Sequence, residues 1–263
     1  MPARVTHAWA ATLSACLLAI SPEAHAGRTC SNEPLTLSAV TQGLALAERT
    51  ARTLDATGAQ VVVLARAGQD LHAYSLRYSH LGLAYKDGER WRVLHKLNQC
   101  GTASASVYRE GLGDFFLDSP FEYVAGVVPL SVDAQARLLP LLRNPAPVAG
   151  LHTRAYSMLA YPWAQTYQQS NQWAIETLAV AMGAEQTSRE AAQDWLEAKA
   201  YTPTELHLSA LSRLGARMTM ANVAFDDHPA SLRFTGRIRT VTVDSVFAWL
   251  QRSGLGVGEL VVR

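Results

Sequence analysis

The sequence predicts an α+β fold in which a small antiparallel sheet is packed by helices. Three observations predict it. Val61-Val-Val-Leu64 is a short β-branched run, and two further apolar-rich runs flank Asp87-Gly88, a dipeptide suited to a two-residue type I′ hairpin turn. Leu35 to Leu54 is rich in helix formers with apolar residues near helical spacing, and Gly58 stands where that helix should stop. From Ser170 onward, helix-capping signatures recur ahead of helical stretches.

The chain opens with Arg4, an apolar run from Ala8 to Ile20, then Ala24-His-Ala26 and Gly27. That is the layout of a secretory signal cleaved after residue 26, with a run too short to span a bilayer. Leu13-Ser-Ala-Cys16 also matches the pattern ahead of a lipid-modified cysteine, although the apolar run continues past Cys16. The expected location is therefore periplasmic or secreted, with a Cys16 lipoprotein as the competing form. Residues 27–263 are expected to form one domain with helical elaboration after Gly183, and no later stretch is apolar enough for a membrane helix. With a net charge of +1 and no basic run, nothing in the sequence points to nucleic acid or an anionic membrane as partner. Removal of the signal leaves Cys30 and Cys100, which in an exported protein most simply form one disulfide. The alternative is Cys100 as a nucleophile.

Each element follows in order. With Asp87 and Gly88 as the turn, Lys86 faces Glu89, Ala84 faces Trp91, Gly82 faces Val93, and His80 lies opposite His95 on one face. Gln99 to Ser106 is small and polar, a loop near the histidines. Phe121 to Val128 reads as a buried strand closed by Pro129, and Ser131 to Arg143 as a helix capped by Ser131 or Asp133. Asn144 to Gly150 is the candidate internal boundary. Ser170 or Asn171 caps a helix running to Met182 and stopped by Gly183. Thr187-Ser-Arg-Glu190 and Thr202-Pro-Thr-Glu205 have capping-box spacing and predict two more helices, the second ending at Gly215. Met218 to Phe225 and Phe234 to Val243 are strand-like, Asp244 caps a helix through Arg252, and Leu260 to Arg263 adds an edge strand.

His80 and His95 form either a site or a satisfied structural pair. The histidines beyond the signal, at 72, 80, 95, 152, 207 and 228, offer no third ligand at a metal-binding spacing, so no cofactor is expected. Asp226-Asp227-His228-Pro229 reads as a turn rather than a cation site. Ser170 stands at a helix start, where free N–H groups and the dipole favour a developing anion. A serine hydroxyl needs a base and a group orienting that base, and His80 and His95 are the candidates. The plain alternative is that Ser170 is an N-cap.

The succession of Ser79-His80-Leu-Gly-Leu83, a polar His95 on the next strand, and a helix opened by Gln169-Ser170-Asn171-Gln-Trp173 resembles the circularly permuted papain-like enzymes. These are relatives of the NlpC/P60 peptidases and lecithin:retinol acyltransferase-type enzymes, in which a strand histidine precedes a catalytic cysteine opening a helix. The resemblance implies permuted papain-like order and hydrolysis or acyl transfer at an amide or ester bond of cell-wall peptide or lipid. Ser170 would be nucleophile, His80 general base and His95 orienter, with backbone N–H groups near Asn171 holding the oxyanion and Trp173 at the binding site. Serine replaces the family's cysteine here, so activation depends wholly on His80. The same replacement suits a scaffold that binds a ligand or envelope protein without cleaving it, through Tyr161, Trp163 and Trp173. Arg77-Tyr-Ser-His80, His95-Lys-Leu-Asn98, Ser170-Asn-Gln-Trp173 and Phe225-Asp-Asp-His-Pro229 also resemble an uncharacterised family of exported Gram-negative bacterial proteins.

Overall fold

The computed structural model describes residues 34–118 and 120–263. The predicted signal and Cys30 lie outside them. The first half runs α1 (Leu37–Thr57), β1 (Val61–Ala67), β2 (His80–Asp87), β3 (Arg90–Asn98), β4 (Ala105–Gly111), α2 (Leu112–Phe116), β5 (Glu122–Pro129) and α3 (Val132–Arg143). The second half runs α4 (Ser170–Ala181), α5 (Arg189–Ala198), β6 (Thr204–His207), α6 (Ala210–Thr219), α7 (Ala230–Arg233), β7 (Arg237–Thr240), α8 (Val243–Arg252) and β8 (Leu260–Val262).

A six-stranded open sheet has the order β4-β3-β2-β1-β5-β8, and every pairing in it is antiparallel. The valine run, β1, is buried along its whole length because it lies inside the sheet with helices on both faces. Alternation along the strands divides the core. Val61, Val63, Ala65, Leu81 and Leu83 pack with α3, α4 and α8, while Val62, Leu64, Ala84 and Val93 pack with α1 and α2. α3 and α4, on either side of the Asn144–Gly150 stretch, share the first of these cores. Among the described residues no helix is long and apolar enough to cross a membrane.

Several local expectations hold in chemical detail. Gly58 takes a left-handed φ of 68° to end α1, Ser131 caps α3, and β8 pairs with β5 at the sheet edge. Others are corrected. The Thr202–Glu205 capping box opens no helix. Instead Glu205 lies in β6, bonded across the two-stranded β6-β7 ribbon to Arg237 and Arg239. Most of the expected 218–225 strand is α6 and the turn after it, and the predicted polar loop after Asn98 ends early because Ala105 and Ser106 enter β4. The caps of α4 and α8 are Gln169 and Thr242, not Ser170, Asn171 or Asp244.

The hairpin register is corrected as well. Gly88 and Glu89 form the turn, with Gly88 at φ +61°, and Asp87 joins the ladder opposite Arg90. Lys86 therefore faces Trp91, and both side chains bond Asp55 at the end of α1. Relative to the expected register, each β2 residue meets a β3 partner two positions further on. A shift of two keeps every side chain on its face, so His80 and His95 become diagonal rather than direct neighbours.

Candidate functional site

The β2–β3 ladder stops at the pair Leu83↔Leu94. Beyond it β2 stays paired with β1 as far as Arg66↔His80, and β3 with β4 as far as Asn98↔Ala105. The sheet thus opens between the strands that carry the two histidines. The first turn of α4 stands at this opening, where Asn171 Oδ1 accepts the Leu81 N–H at 3.0 Å and Asn171 Nδ2 donates to Val241 O at 3.2 Å.

A polar row crosses the face covered by α2. His80 Nε2 and His95 Nδ1 are 2.9 Å apart, and His95 Nε2 lies 3.0 Å from Glu110 Oε2 on β4. On the other side of His80, its ladder partner Arg66 is ion-paired with Asp118 and donates to Phe115 O. Phe115 roofs the row, with its ring centroid 5.9 Å from that of His80 and 5.3 Å from that of His95. Gly82 is what lets the strands come this close. A Cβ there would sit 2.5 Å from Val93 Cγ1 and 3.1 Å from His95 Cβ.

Burial holds the His80 imidazole well below its ordinary value, and the Arg66 guanidinium and His95 act in the same direction. His95 is also lowered by burial, against the opposing pull of its hydrogen bond to Glu110. Both rings are consequently neutral at pH 7. A neutral histidine with one ring nitrogen committed to an orienting partner is the resting form of a general base.

Ser170 lies at the start of α4, which packs on the opposite face of the sheet, and its side chain interacts with the buried Tyr156 phenol. Among the described residues no hydrogen bond joins Ser170 to His80 or His95. The structure thus brings the two histidines together, adds Glu110 and Arg66 to them, and attaches Asn171 to the residue after His80. Trp173 is placed in the core at 2% exposure, and Tyr161 and Trp163 are half-buried.

The family described as "Uncharacterized protein conserved in bacteria (DUF2145)" matches residues 53–250. The chain belongs to this family. The match to DUF2145 runs from within α1 into α8 and takes in the histidines, Glu110 and Ser170. No curated protein and no solved structure matches the chain.

Sequence reasoning missed Glu110, Arg66 and Asp118. The signal for Glu110 was parity alone: a strand through Tyr108-Arg-Glu110 beside β3 sets Glu110 on the face of Val93 and His95. Asp226-Asp227-His228 is a braced turn. Asp227 accepts the Tyr161 N–H at 2.7 Å and bonds His228 Nδ1, while His228 Nε2 donates to Arg239 O at 2.9 Å. Cys100 is exposed just after β3, whereas Cys30 lies outside the described residues.

Proposed function

We propose that this is an exported cell-envelope protein that hydrolyses an amide or ester bond, or transfers its acyl group, with cell-wall peptide or lipid as the substrate class. The proposal includes signal removal after residue 26, a Cys30–Cys100 disulfide and permuted papain-like order. The observation that carries it is the 2.9 Å contact between His80 Nε2 and His95 Nδ1, because it supplies a neutral histidine held by a second polar group. The hydrogen bond from Leu81 N–H to Asn171 supports it further by tying the start of α4 to the residue after His80.

In this reading the start of α4 moves into the opening between β2 and β3, so that the Ser170 hydroxyl leaves Tyr156 for His80, loses its proton to the imidazole and attacks the carbonyl carbon. The oxyanion is held by the N–H groups of Ser170 and Asn171, which as first-turn donors have no partner within the helix. When the tetrahedral intermediate collapses, His80 returns the proton to the departing amine or alcohol. Water, or an acceptor nucleophile, then repeats the sequence on the acyl-serine.

A second reading, a binding protein without turnover, is favoured by the pairing of Ser170 with Tyr156 and by its placement on α4, across the sheet from the histidines. A serine-reactive fluorophosphonate separates the two. Labelling that disappears in both Ser170→Ala and His80→Gln, with folding verified by circular dichroism, supports the enzyme. Absent labelling, or labelling that survives Ser170→Ala, rules out this nucleophile. Thiol counting with and without reductant tests the disulfide, which predicts no free thiol before reduction.

A further inference from the structure

We infer that Glu110 is the solvent-side outlet of a buried proton relay that begins at His80 and passes through His95. The chain of contacts fixes where each proton sits. A carboxylate only accepts, so His95 Nε2 donates to Glu110 across 3.0 Å. In a neutral ring this leaves His95 Nδ1 as an acceptor, and the proton in the 2.9 Å contact belongs to His80 Nε2. His80 Nδ1 is then the basic nitrogen. Exposure rises at the Glu110 end of the row. His95 is fully buried, while the Glu110 side chain is 26% exposed. Arg66 and Asp118, the charged groups on the other side of His80, are ion-paired to each other.

The transfer balances. A proton arriving at His80 Nδ1 releases the Nε2 proton to His95 Nδ1, and the His95 Nε2 proton moves to the Glu110 carboxylate and on to water. Both rings end neutral with their protons on Nδ1. Giving the Nδ1 proton of His80 to a leaving group draws the chain back through the same bonds to its starting tautomers. Glu110 touches no reacting atom in this scheme and is a positioning and proton-exchange residue. Its role in catalysis rests on the proposed function, whereas the tautomer chain stands without it.

Long-range ¹H–¹⁵N correlation spectra of histidine-labelled protein near neutral pH test the inference directly. The expected result is that His80 and His95 are both neutral Nε2–H tautomers. Glu110→Gln keeps an oxygen for the His95 N–H but cannot take the proton onward. It should therefore leave both tautomers unchanged while slowing exchange of the His80 ring proton with water by at least about tenfold. Wild-type exchange in Glu110→Gln, or His80 found as the Nδ1–H tautomer, overturns the relay. If these spectra come out as expected while Ser170 labelling fails, the relay stands and only the nucleophile falls.

Discussion

Asn171 and Leu81 are joined by a hydrogen bond that takes the place of a strand pairing. The Leu81 N–H meets the Asn171 side-chain oxygen at 3.0 Å beyond the point where β2 and β3 cease to pair. The same side chain donates to Val241 O, so one residue satisfies two buried backbone groups, one in β2 and one in the link between β7 and α8. Asn171→Leu strands both, at roughly 1–3 kcal/mol for each unsatisfied group. A loss of about 2–6 kcal/mol in urea unfolding is expected on that basis. A variant within about 0.5 kcal/mol of wild type, the usual span for an uninvolved surface residue, would show that the two bonds do not hold the opening.

Gly82→Ala is expected to damage the site by crowding. The new methyl would lie 2.5 Å from Val93 Cγ1, and a β-branched neighbour has little rotamer freedom with which to yield. Overpacking of this kind typically costs about 1–3 kcal/mol. The second variant Val93→Ala should recover part of that loss when added to Gly82→Ala, measured as a shift in urea midpoint. If it adds to the loss instead, the close approach is not what makes glycine necessary.

The sheet and the site were unequally legible. The β-branched run at 61–64 and the caps at Gly58 and Ser131 carry local signals strong enough to specify their elements. Histidine adjacency survived a wrong turn placement because the error shifted the register by two, and parity decides the face. β4 was invisible because an edge strand with exposed Tyr108 and Arg109 lacks apolar alternation. The Thr202–Glu205 motif misled for a related reason. Capping-box spacing is a local pattern, and the charges of Arg237 and Arg239 that draw Glu205 into a strand lie far along the chain.

Acid should destabilise the protein through its histidine pair. Burial lowers both imidazoles, so between their folded values and the unfolded value of about 6.5 the unfolded chain binds more protons. Their contribution is complete above that value and is lost as pH falls below it. The slope amounts to at most about 1.4 kcal/mol per pH unit for each histidine. Urea unfolding of wild type and His80→Gln at about pH 7.5 and 5.5 isolates this contribution, because the remaining titrating groups are common to both. The variant should show the shallower fall. Equal slopes would mean that His80 does not titrate on unfolding.

The buried pair Glu176–Arg189 should prove the most sensitive to single substitution. Glu176 on α4 is fully buried and meets Arg189 on α5 at 3.0 Å, with Gln168 and Gln193 completing its hydrogen bonds. Arg189 also donates to the carbonyls of Ala164, Gln165 and Tyr167, which binds the loop before Ser170 to both helices. Removing one member of such a pair leaves a charge without compensation and costs about 3–5 kcal/mol. Arg189→Lys should lose nearly as much as Arg189→Ala, since a single ammonium cannot reach the carboxylate and the carbonyls that the planar guanidinium spans. Urea midpoints of the two variants decide the matter. If lysine restores wild-type stability, charge alone holds the loop. If it does not, the geometry of the guanidinium fixes the chain segment that leads into α4.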